Sequence, residues 1–295
     1  MAKARKIRKR AKAVGNVRTI TRTVEMIASA RYQKACDLAA SARPHTDKLA
    51  ELVGDLLDRG TLKGLDHPLL REPEGCSRHV LLVLTSTRGL CGAYNWQVLD
   101  LALDRRRQLI DAGYEVLLWV SGKRGLGYMG SHGLQVGRSF TEFGYKPGYE
   151  QASGLAEELM AMLTRRQISG VEVAYMQYFS RGRQQPAIAQ ILPMELIEPP
   201  QRLPVGGGEP APYETLPSAE DVLRNLLPAT CRMRLWQCFI DAGVSEQAMR
   251  MASMQAATGN AEEMIHDLTV QYNRRRQAQI TAELSEIMGG REALA

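Results

Sequence analysis

Features that stabilise secreted proteins or place a chain in a membrane are scarce in this 295-residue sequence. Its five cysteines are odd in number and form no CxxC pair, so they favour a reducing compartment over a disulfide framework. No apolar run approaches the length that spans a bilayer. The basic N-terminus is not followed by the apolar segment of a secretory signal. The sequence therefore predicts a mature protein with no transmembrane segment.

Signatures of catalysis and of metal or cofactor binding are absent as well. The five histidines are scattered, with no i, i+4 pair and no cysteine cluster nearby, which argues against a metal site. Two glycine-rich segments, LTSTRGLCGAYN (Leu84 to Asn95) and SGKRGLGYMG (Ser121 to Gly130), contain neither GxGxxG nor a GKS or GKT triplet. A strand-to-helix turn with glycines at positive φ is favoured for the first segment, and a surface turn for the second. We predict no catalytic, cofactor-binding or metal-binding residue.

Positive charge is concentrated at one end of the chain. The net charge is +6, and residues 1–34 hold eleven lysines or arginines against one acid, Glu25, so this segment alone carries +10. Such asymmetry predicts an acidic partner: a nucleic acid, an anionic membrane or an acidic protein surface. An apolar stripe of Ile7, Val14 and Val17 runs through the segment without interleaved aromatics. The stripe favours a helix paired along its length over a nucleic-acid-binding arm.

Both ends of the chain carry the apolar periodicity of long helices. Aromatic residues make up only 6% of the sequence, whereas alanine, methionine and leucine are plentiful, a bias that favours helix. From Lys6 to about Leu57, apolar or small residues recur at steps of three and four, and Pro44 is expected to kink or divide the helix. From Ile240 to Tyr272 they follow a heptad rhythm that indicates a coiled coil. Pro228 is expected to interrupt the approach to this second helix.

The middle of the chain has strand signals instead. Two short, near-continuous apolar runs are typical of buried parallel strands: HVLLVLT (His79 to Thr85) and EVLLWVS (Glu115 to Ser121). Helical segments separate these from two later strand candidates, VEVAYMQYF and AIAQILPMEL, in a β-α-β-α-β order. The predicted fold class is α/β plus a long antiparallel coiled coil, in which terminal helices flank an inserted open α/β (Rossmann-like) sheet domain.

The predicted domains follow this order along the chain. Residues 1–58 form an N-terminal coiled-coil helix, and residues 76–198 form the α/β domain. Residues 199–217 are a Pro/Gly-rich linker, and residues 218–295 form a C-terminal coiled-coil helix. Because both long helices leave the same domain, we expect them to return alongside each other.

Three consecutive arginines lie in the C-terminal helical segment QYNRRRQAQITAELSEIMGG. At about 100° per residue they fan around more than half of the helix circumference. Arg276, Gln277 and Thr281 flank the apolar stripe of this helix, whereas Arg274 and Arg275 point elsewhere. A helix that is basic on several sides is expected to be surrounded by partners.

Three motifs resemble the gamma subunit family of F-type ATP synthases, over essentially the full length of the chain. The N-terminal motif is IRKRAKAVGNVRTITRTVEMIASAR, which resembles the family's IRxRIxSVxNTxxITxAMxMVAxxK helix. The turn RGLCGAYN resembles the family's RGLCGGYN. The C-terminal motif is MRMASMQAATGNAEEMIHDLTVQYNRRRQAQITAELSEIMGG, which resembles ARMxAMxxATxNAxxxIxxLxxxYNxxRQAxITxEIxEIVxG. The sequence departs from these patterns at Thr23, Val24, Ala93 and Gly259.

The resemblance implies a non-catalytic subunit of an enzyme complex. It implies the central rotor shaft, which couples rotation of the membrane c-ring, driven by proton flow, to conformational cycling of the catalytic beta subunits. The implied partners are three alpha and three beta subunits, the epsilon subunit and the c-ring, with one copy of this chain per complex. No nucleic acid and no cofactor is implied. The implied location is peripheral, on the cytoplasmic face of the bacterial inner membrane.

The resemblance also implies roles for five residues. Arg276, Gln277 and Thr281 match the family's RQAxIT motif, and Arg250 matches the arginine of ARMxAM. Arg31 matches the basic residue that ends the N-terminal motif. By resemblance, these side chains contact the ring of alpha and beta subunits.

Two other functions compete with that of a rotary shaft. The basic N-terminus motivates a nucleic-acid-binding protein, and the glycine-rich loops motivate a nucleotide-binding α/β enzyme. Co-purification with alpha and beta subunits distinguishes the shaft from the first alternative. Tight, stoichiometric nucleotide binding by the isolated chain would favour the second alternative.

Overall fold

The computed structural model describes residues 2–58, 67–194 and 219–292. The chain divides into two compact units, one containing Met1–Ser29 and Arg250–Ala295, the other Ala30–Met249. We call these the helical unit and the sheet unit. The elements are α1 Ala2–Asp58, a 3-10 turn Pro68–Leu70, β1 Arg78–Leu84, α2 Tyr94–Asp111, β2 Glu115–Ser121, α3 Lys123–Ser131, β3 Arg138–Phe140, α4 Tyr149–Thr164, β4 Gly170–Ser180, β5 Arg183–Leu192 and α5 Ala219–Glu292.

The two terminal helices are longer and less interrupted than their prolines suggest. Helix α1 contains 57 residues, with Pro44 inside it, and α5 contains 74 residues, with Pro228 inside it. The expectation that Pro228 interrupts the approach to the C-terminal helix is therefore wrong. Proline removes one intrahelical hydrogen bond, and packing on both sides offsets that loss here, because Leu227 and Cys231 are fully buried.

A five-stranded sheet forms the centre of the sheet unit. Its strand order is β3-β2-β1-β4-β5, with parallel pairing throughout except for β5, which is antiparallel to β4. Successive side chains of β1 point to opposite faces: Leu82 and Leu84 join one apolar cluster, whereas Leu81 and Val83 join another. A strand buried on both faces explains the near-continuous apolar run that predicted it.

The segment after β2 differs from its prediction as a surface turn. Lys123–Ser131 forms helix α3, which begins after Gly122 at φ 95°. Gly125 is buried in this helix, and a β-carbon there would lie only 2.5 Å from the Thr85 hydroxyl and 2.8 Å from the Val120 side chain. The glycine thus lets the helix approach the sheet closely, which short-range turn signals did not indicate.

One further boundary departs from the sequence-based expectation of a helix from about Gly154 to Gln167. Helix α4 begins at Tyr149 and ends at Thr164, so it starts about five residues earlier than expected. The predicted Pro/Gly-rich linker, residues 199–217, lies outside the described residues.

In the sheet unit, α1 and α5 run antiparallel. Arg31 lines the same cavity as Gln247, whereas Arg43, further along α1, lies close enough to Asp241 to affect its pKa. As the residue number rises along α1, the number of the neighbouring residue on α5 falls, so the two helices point in opposite directions. Small side chains of α1 pack against α5 in one apolar cluster, which contains Ala35, Ala42, Ile240 and Val244.

The helical unit shows the heptad spacing of its coiled coil in its pattern of burial. Beside the buried Arg250, the buried side chains on α5 in this unit are Met251, Met254, Thr258, Ala261 and Leu268. Their steps of three, four, three and seven residues keep one seam facing the partner helix. Thr258 is a polar member of this seam, and its hydroxyl lies 2.8 Å from the hydroxyl of Thr21 on α1.

Asp241 is a buried carboxylate on α5 in the sheet unit. Its Oδ1 accepts a hydrogen bond from Gln237 Nε2 at 2.9 Å. Burial raises the pKa of Asp241 from 3.8 to about 6, and the bond from Gln237 and the charge of Arg43 oppose that rise. The ionised form of Asp241 therefore destabilises the folded chain.

We predict that Asp241→Asn stabilises the full-length chain at neutral pH. The folded protein retains a proton that the unfolded chain has released, so this site's contribution to stability falls as pH rises from about 4 to about 6. Asparagine keeps the acceptor for Gln237 without the charge. Above about pH 6 the variant should be more stable by up to roughly 3 kcal/mol, and the difference should vanish below about pH 4. Urea unfolding across this pH range measures it; a difference that does not change with pH would contradict the assignment.

Candidate functional site

Three of the predicted site residues lie together on the exposed surface of the helical unit. The side chains of Arg276, Gln277 and Thr281 are all exposed on α5. The Thr281 hydroxyl donates to the Gln277 carbonyl at 3.0 Å, so it is folded onto its own helix. The guanidinium of Arg276 and the amide of Gln277 therefore form the polar part of this surface.

Apolar side chains accompany these polar groups on the same helix. Ile280 and Leu284 are about half exposed, at 44% and 55%, and Met288 is 71% exposed. Arginine and methionine among aliphatic side chains are typical of a protein-protein interface rather than a small-molecule site. We call the surface formed by Arg276, Gln277, Ile280, Thr281 and Leu284 the distal surface.

Arg274 and Arg275 are exposed as well, so all three consecutive arginines project outward from α5. Their side chains fan around the helix as its geometry requires. Positive charge on several sides of one helix is expected of a helix that contacts partners in more than one direction.

Arg250 differs from the other arginines of the helical unit. Its side chain is buried and interacts within the chain. It precedes Arg276 by 26 residues, which places it roughly 39 Å away along the helix axis. The structure thus does not bring Arg250 together with the distal surface, and its predicted contact with another subunit stays a prediction.

Arg31 belongs to the sheet unit and is half buried. Its guanidinium carbon lies 5.2 Å from the centre of the Tyr145 ring, a cation-π contact. The same arginine lines a cavity of about 240 Å³ together with Arg88, Glu142 and Gln247. Arg31 is therefore held within its own unit, and its contact with the alpha-beta ring also stays a prediction.

The glycine-rich turn after β1 is held by its own side chains. The Ser86 amide donates to Asn95 Oδ1 at 2.9 Å, and Asn95 Nδ2 donates to the Cys91 sulfur at 3.1 Å. The Thr85 hydroxyl donates to the Ser121 carbonyl and accepts from the Gly125 amide. These side chains and the amides of Ser86 and Gly125 are thus bonded within the fold. This bonding favours the structural interpretation of the turn over nucleotide binding.

Sequence reasoning missed a buried ionic cluster on the sheet. Arg105 of α2 donates from Nε and a terminal nitrogen to the two oxygens of Glu172 at 2.7 and 2.6 Å. These bonds raise the pKa of Arg105. His79 Nε2 lies 3.7 Å from the same carboxylate, and burial lowers the pKa of His79. A charged residue inside the apolar run VEVAYM was the available signal for this cluster.

Two features of the described parts of the chain bear on alternative functions. Among those residues, no group of three or more histidine, cysteine, aspartate or glutamate side chains is arranged to hold a metal ion. None of the helices within residues 2–58, 67–194 and 219–292 combines the length and apolar character that a bilayer crossing requires.

Comparison with known proteins finds full-length relatives. A family model described as ATP synthase matches residues 3–294. The chain is 40% identical to an ATP synthase gamma chain of Rhodopirellula baltica, and the alignment covers 100% of this chain and 99% of the relative. It is 36% identical to an ATP synthase gamma chain of Frankia casuarinae, in an alignment that covers 99% of this chain and 97% of the relative.

Solved structures share the fold at lower identity. A chain of the Euglena gracilis mitochondrial ATP synthase, in a structure of its OSCP, F1 and c-ring, has a TM-score of 0.64 at 17% identity. The match covers 99% of this chain and 95% of that one. A chain of the central stalk and c-ring of the Tetrahymena thermophila mitochondrial ATP synthase has a TM-score of 0.54 at 15% identity. That match covers 81% of this chain and 99% of the Tetrahymena chain.

We predict opposite effects for two glycine substitutions in the second glycine-rich segment. Gly122→Ala should destabilise the full chain by about 3 kcal/mol or more, because φ is 95° and the new β-carbon would lie 2.2 Å from the Thr85 carbonyl oxygen. Gly127→Ala should stabilise it by up to about 1 kcal/mol, because this exposed position inside α3 has no atom within 4 Å of the added carbon. Urea unfolding of both variants measures the difference, and equal effects would contradict the geometry.

Proposed function

Because the chain belongs to the ATP synthase gamma family, we propose that it is the central rotor shaft of an F-type, proton-translocating ATP synthase. The observation that carries the proposal is the distal surface itself. Arg276, Gln277 and Thr281 are exposed near one end of a helix that continues for 74 residues. The other end of that helix packs within the sheet unit. Rotation applied to the sheet unit therefore reaches the distal surface through continuous helix.

The mechanism requires differential contact rather than chemistry on this chain. Each catalytic beta subunit has alternative conformations, and a shaft shifts their equilibrium only if it contacts one conformation more favourably than another. A surface that presents a guanidinium and an amide on one side of a helix provides such contacts as the helix turns. Catalysis takes place on the beta subunits in this proposal, and this chain is a non-catalytic subunit.

The proposed partners are those of the family. The shaft would contact three alpha and three beta subunits through its helices, and the epsilon subunit and the c-ring at the sheet unit, with one copy in each complex. The solved relatives come from assemblies of F1 with the c-ring and of the central stalk with the c-ring. We place the chain at the cytoplasmic face of the bacterial inner membrane, as a peripheral subunit, because the most similar relatives reported above are bacterial.

A nucleotide-binding enzyme and a nucleic-acid-binding protein are the alternatives to test. The internally bonded turn at Ser86 and Asn95 argues against the first. Two experiments together distinguish all three functions: affinity purification of the chain from its native cell, and nucleotide binding by the isolated chain. Recovery of stoichiometric alpha and beta subunits supports the shaft. Retention on DNA in moderate salt without those subunits, or tight nucleotide binding by the isolated chain, contradicts it.

We predict that the double variant Arg276→Ala/Gln277→Ala assembles but couples poorly. Both side chains are exposed in the chain and form no part of its apolar seam. Coupling free energies between sites correspond to changes of about 5- to 150-fold, so we expect proton-driven ATP synthesis to fall by roughly tenfold per assembled complex. Membrane vesicles with quantified complex provide the measurement.

The matched control is Arg274→Ala/Arg275→Ala, which removes two positive charges from the same helix, whereas the test variant removes one. These positions are also exposed, and alanine favours helix at all four sites. The control should retain most of the synthesis rate. Equal losses in the two double variants would show that general charge, rather than the distal surface, sustains coupling.

A further inference from the structure

The loop between β3 and α4 contacts both terminal helices within the sheet unit. This loop, residues 141–148, has no helix or strand, and we call it the joint loop. Its contacts are aromatic and close-range rather than the solvated contacts usual for a surface connection.

The joint loop meets α5 at three successive positions. The ring of Phe143 stacks on Phe239 with 4.1 Å between centroids and 23° between planes. The Pro147 carbonyl accepts a hydrogen bond from Trp236 Nε1 at 3.0 Å. The backbone of Tyr145 lies so close to Gly243 that a β-carbon there would be 3.1 Å from the Tyr145 carbonyl oxygen. Stacking, hydrogen bonding and backbone contact thus fix the loop along two turns of α5.

The same loop also meets α1. The Tyr145 ring faces the Arg31 guanidinium at 5.2 Å, while the backbone of Tyr145 faces Gly243 of α5. One residue of the loop therefore contacts both helices. Helix α1 also contacts the sheet directly, through the 2.7 Å hydrogen bond between Tyr32 and Tyr178 of β4.

On its other side, the joint loop is fixed to the edge of the sheet. Phe143 makes an edge-to-face contact with Phe140 at 6.0 Å, and Phe140 contacts Trp119 of β2 at 5.9 Å. A continuous series of rings therefore runs from β2 through the joint loop to α5. Aromatic pairs in such arrangements stabilise beyond the area that they bury, and they have defined geometry.

We propose that the joint loop is a torque-bearing joint between the sheet and the two shaft helices, with Phe143 and Tyr145 as its positioning residues. This inference rests on the proposed rotor function. Torque applied to the sheet reaches α1 and α5 only through contacts that resist relative rotation. Packing of α5 on the sheet resists separation, whereas the joint loop contacts both helices and the sheet edge and so opposes rotation of the helices against the sheet. Weakening the loop therefore makes the joint compliant, and rotation of the sheet is transmitted incompletely.

The test compares Phe143→Ala with Phe143→Tyr in the assembled complex in membrane vesicles. Mutations along a coupling path change coupling by about 2- to 30-fold, and we expect Phe143→Ala to lower the ratio of proton-driven synthesis to ATP hydrolysis by about fivefold. Phe143→Tyr retains the ring and should restore the ratio. Gly243→Ala displaces Tyr145 from the helix side and should lower the ratio as well. A bead on the sheet unit, with the catalytic head immobilised, should show a wider angular spread in the impaired variants.

The matched control is Phe179→Ala, which deletes the same side chain at an exposed site of the same unit, outside the joint loop. It should leave the ratio unchanged. A purely structural role for Phe143 would lower the amount of complex and leave the ratio intact, and that result overturns the inference. If the wild-type complex lacks this chain or shows no coupled synthesis, the proposed function itself fails. If Phe143→Ala does not assemble, Gly243→Ala decides the question by the same ratio.

Discussion

Close packing of α1 against α5 through small side chains is the constraint on which the rest of the structure depends. In the helical unit the buried seam includes Ala28 and Ala261, and in the sheet unit it includes Ala35, Ala42 and Val244. Alanine removes little side-chain entropy and lets helix backbones approach closely. Such a seam buries little apolar area per residue. The two helices therefore need great length to gain enough contact, which is why they dominate the chain.

A narrow seam leaves most of each helix surface facing outward, and the outward residues carry the proposed function. Ile20 and Met26 of α1 are 60% and 65% exposed, in a chain whose sheet core is well buried. A soluble monomer rarely presents many large apolar side chains on one extended element without a partner to cover them. The distribution of apolar and basic groups thus follows from the seam. Alanine fills much of the interface between the helices, and the larger apolar and basic side chains lie on the outside, where the proposed partner subunits would contact them.

Much of this architecture was predictable from the sequence, and the failures arise where tertiary contacts outweigh local sequence signals. Continuous apolar runs predicted β1 and β2 because strands buried on both faces exclude polar residues. Helix α3 was missed because its glycines resemble turn signals, whereas Gly125 is needed for close approach to Thr85. The break at Pro228 was wrong because long-range packing outweighs one lost hydrogen bond. At the distal surface, helical geometry alone placed Arg276 beside Gln277, but the burial of Arg250 depends on tertiary contacts that no local pattern shows.

The joint loop illustrates the same limit and also explains how the fold serves a mechanical role. Phe143, Tyr145 and Pro147 lie in a segment whose sequence, FGYKPG, has the composition of an ordinary turn. Only the fold brings these residues against Phe239 and Arg31, which are separated from the loop by long stretches of chain. The performance of the proposed rotor shaft depends on how stiffly distant elements are joined. That stiffness arises from contacts between residues far apart in sequence.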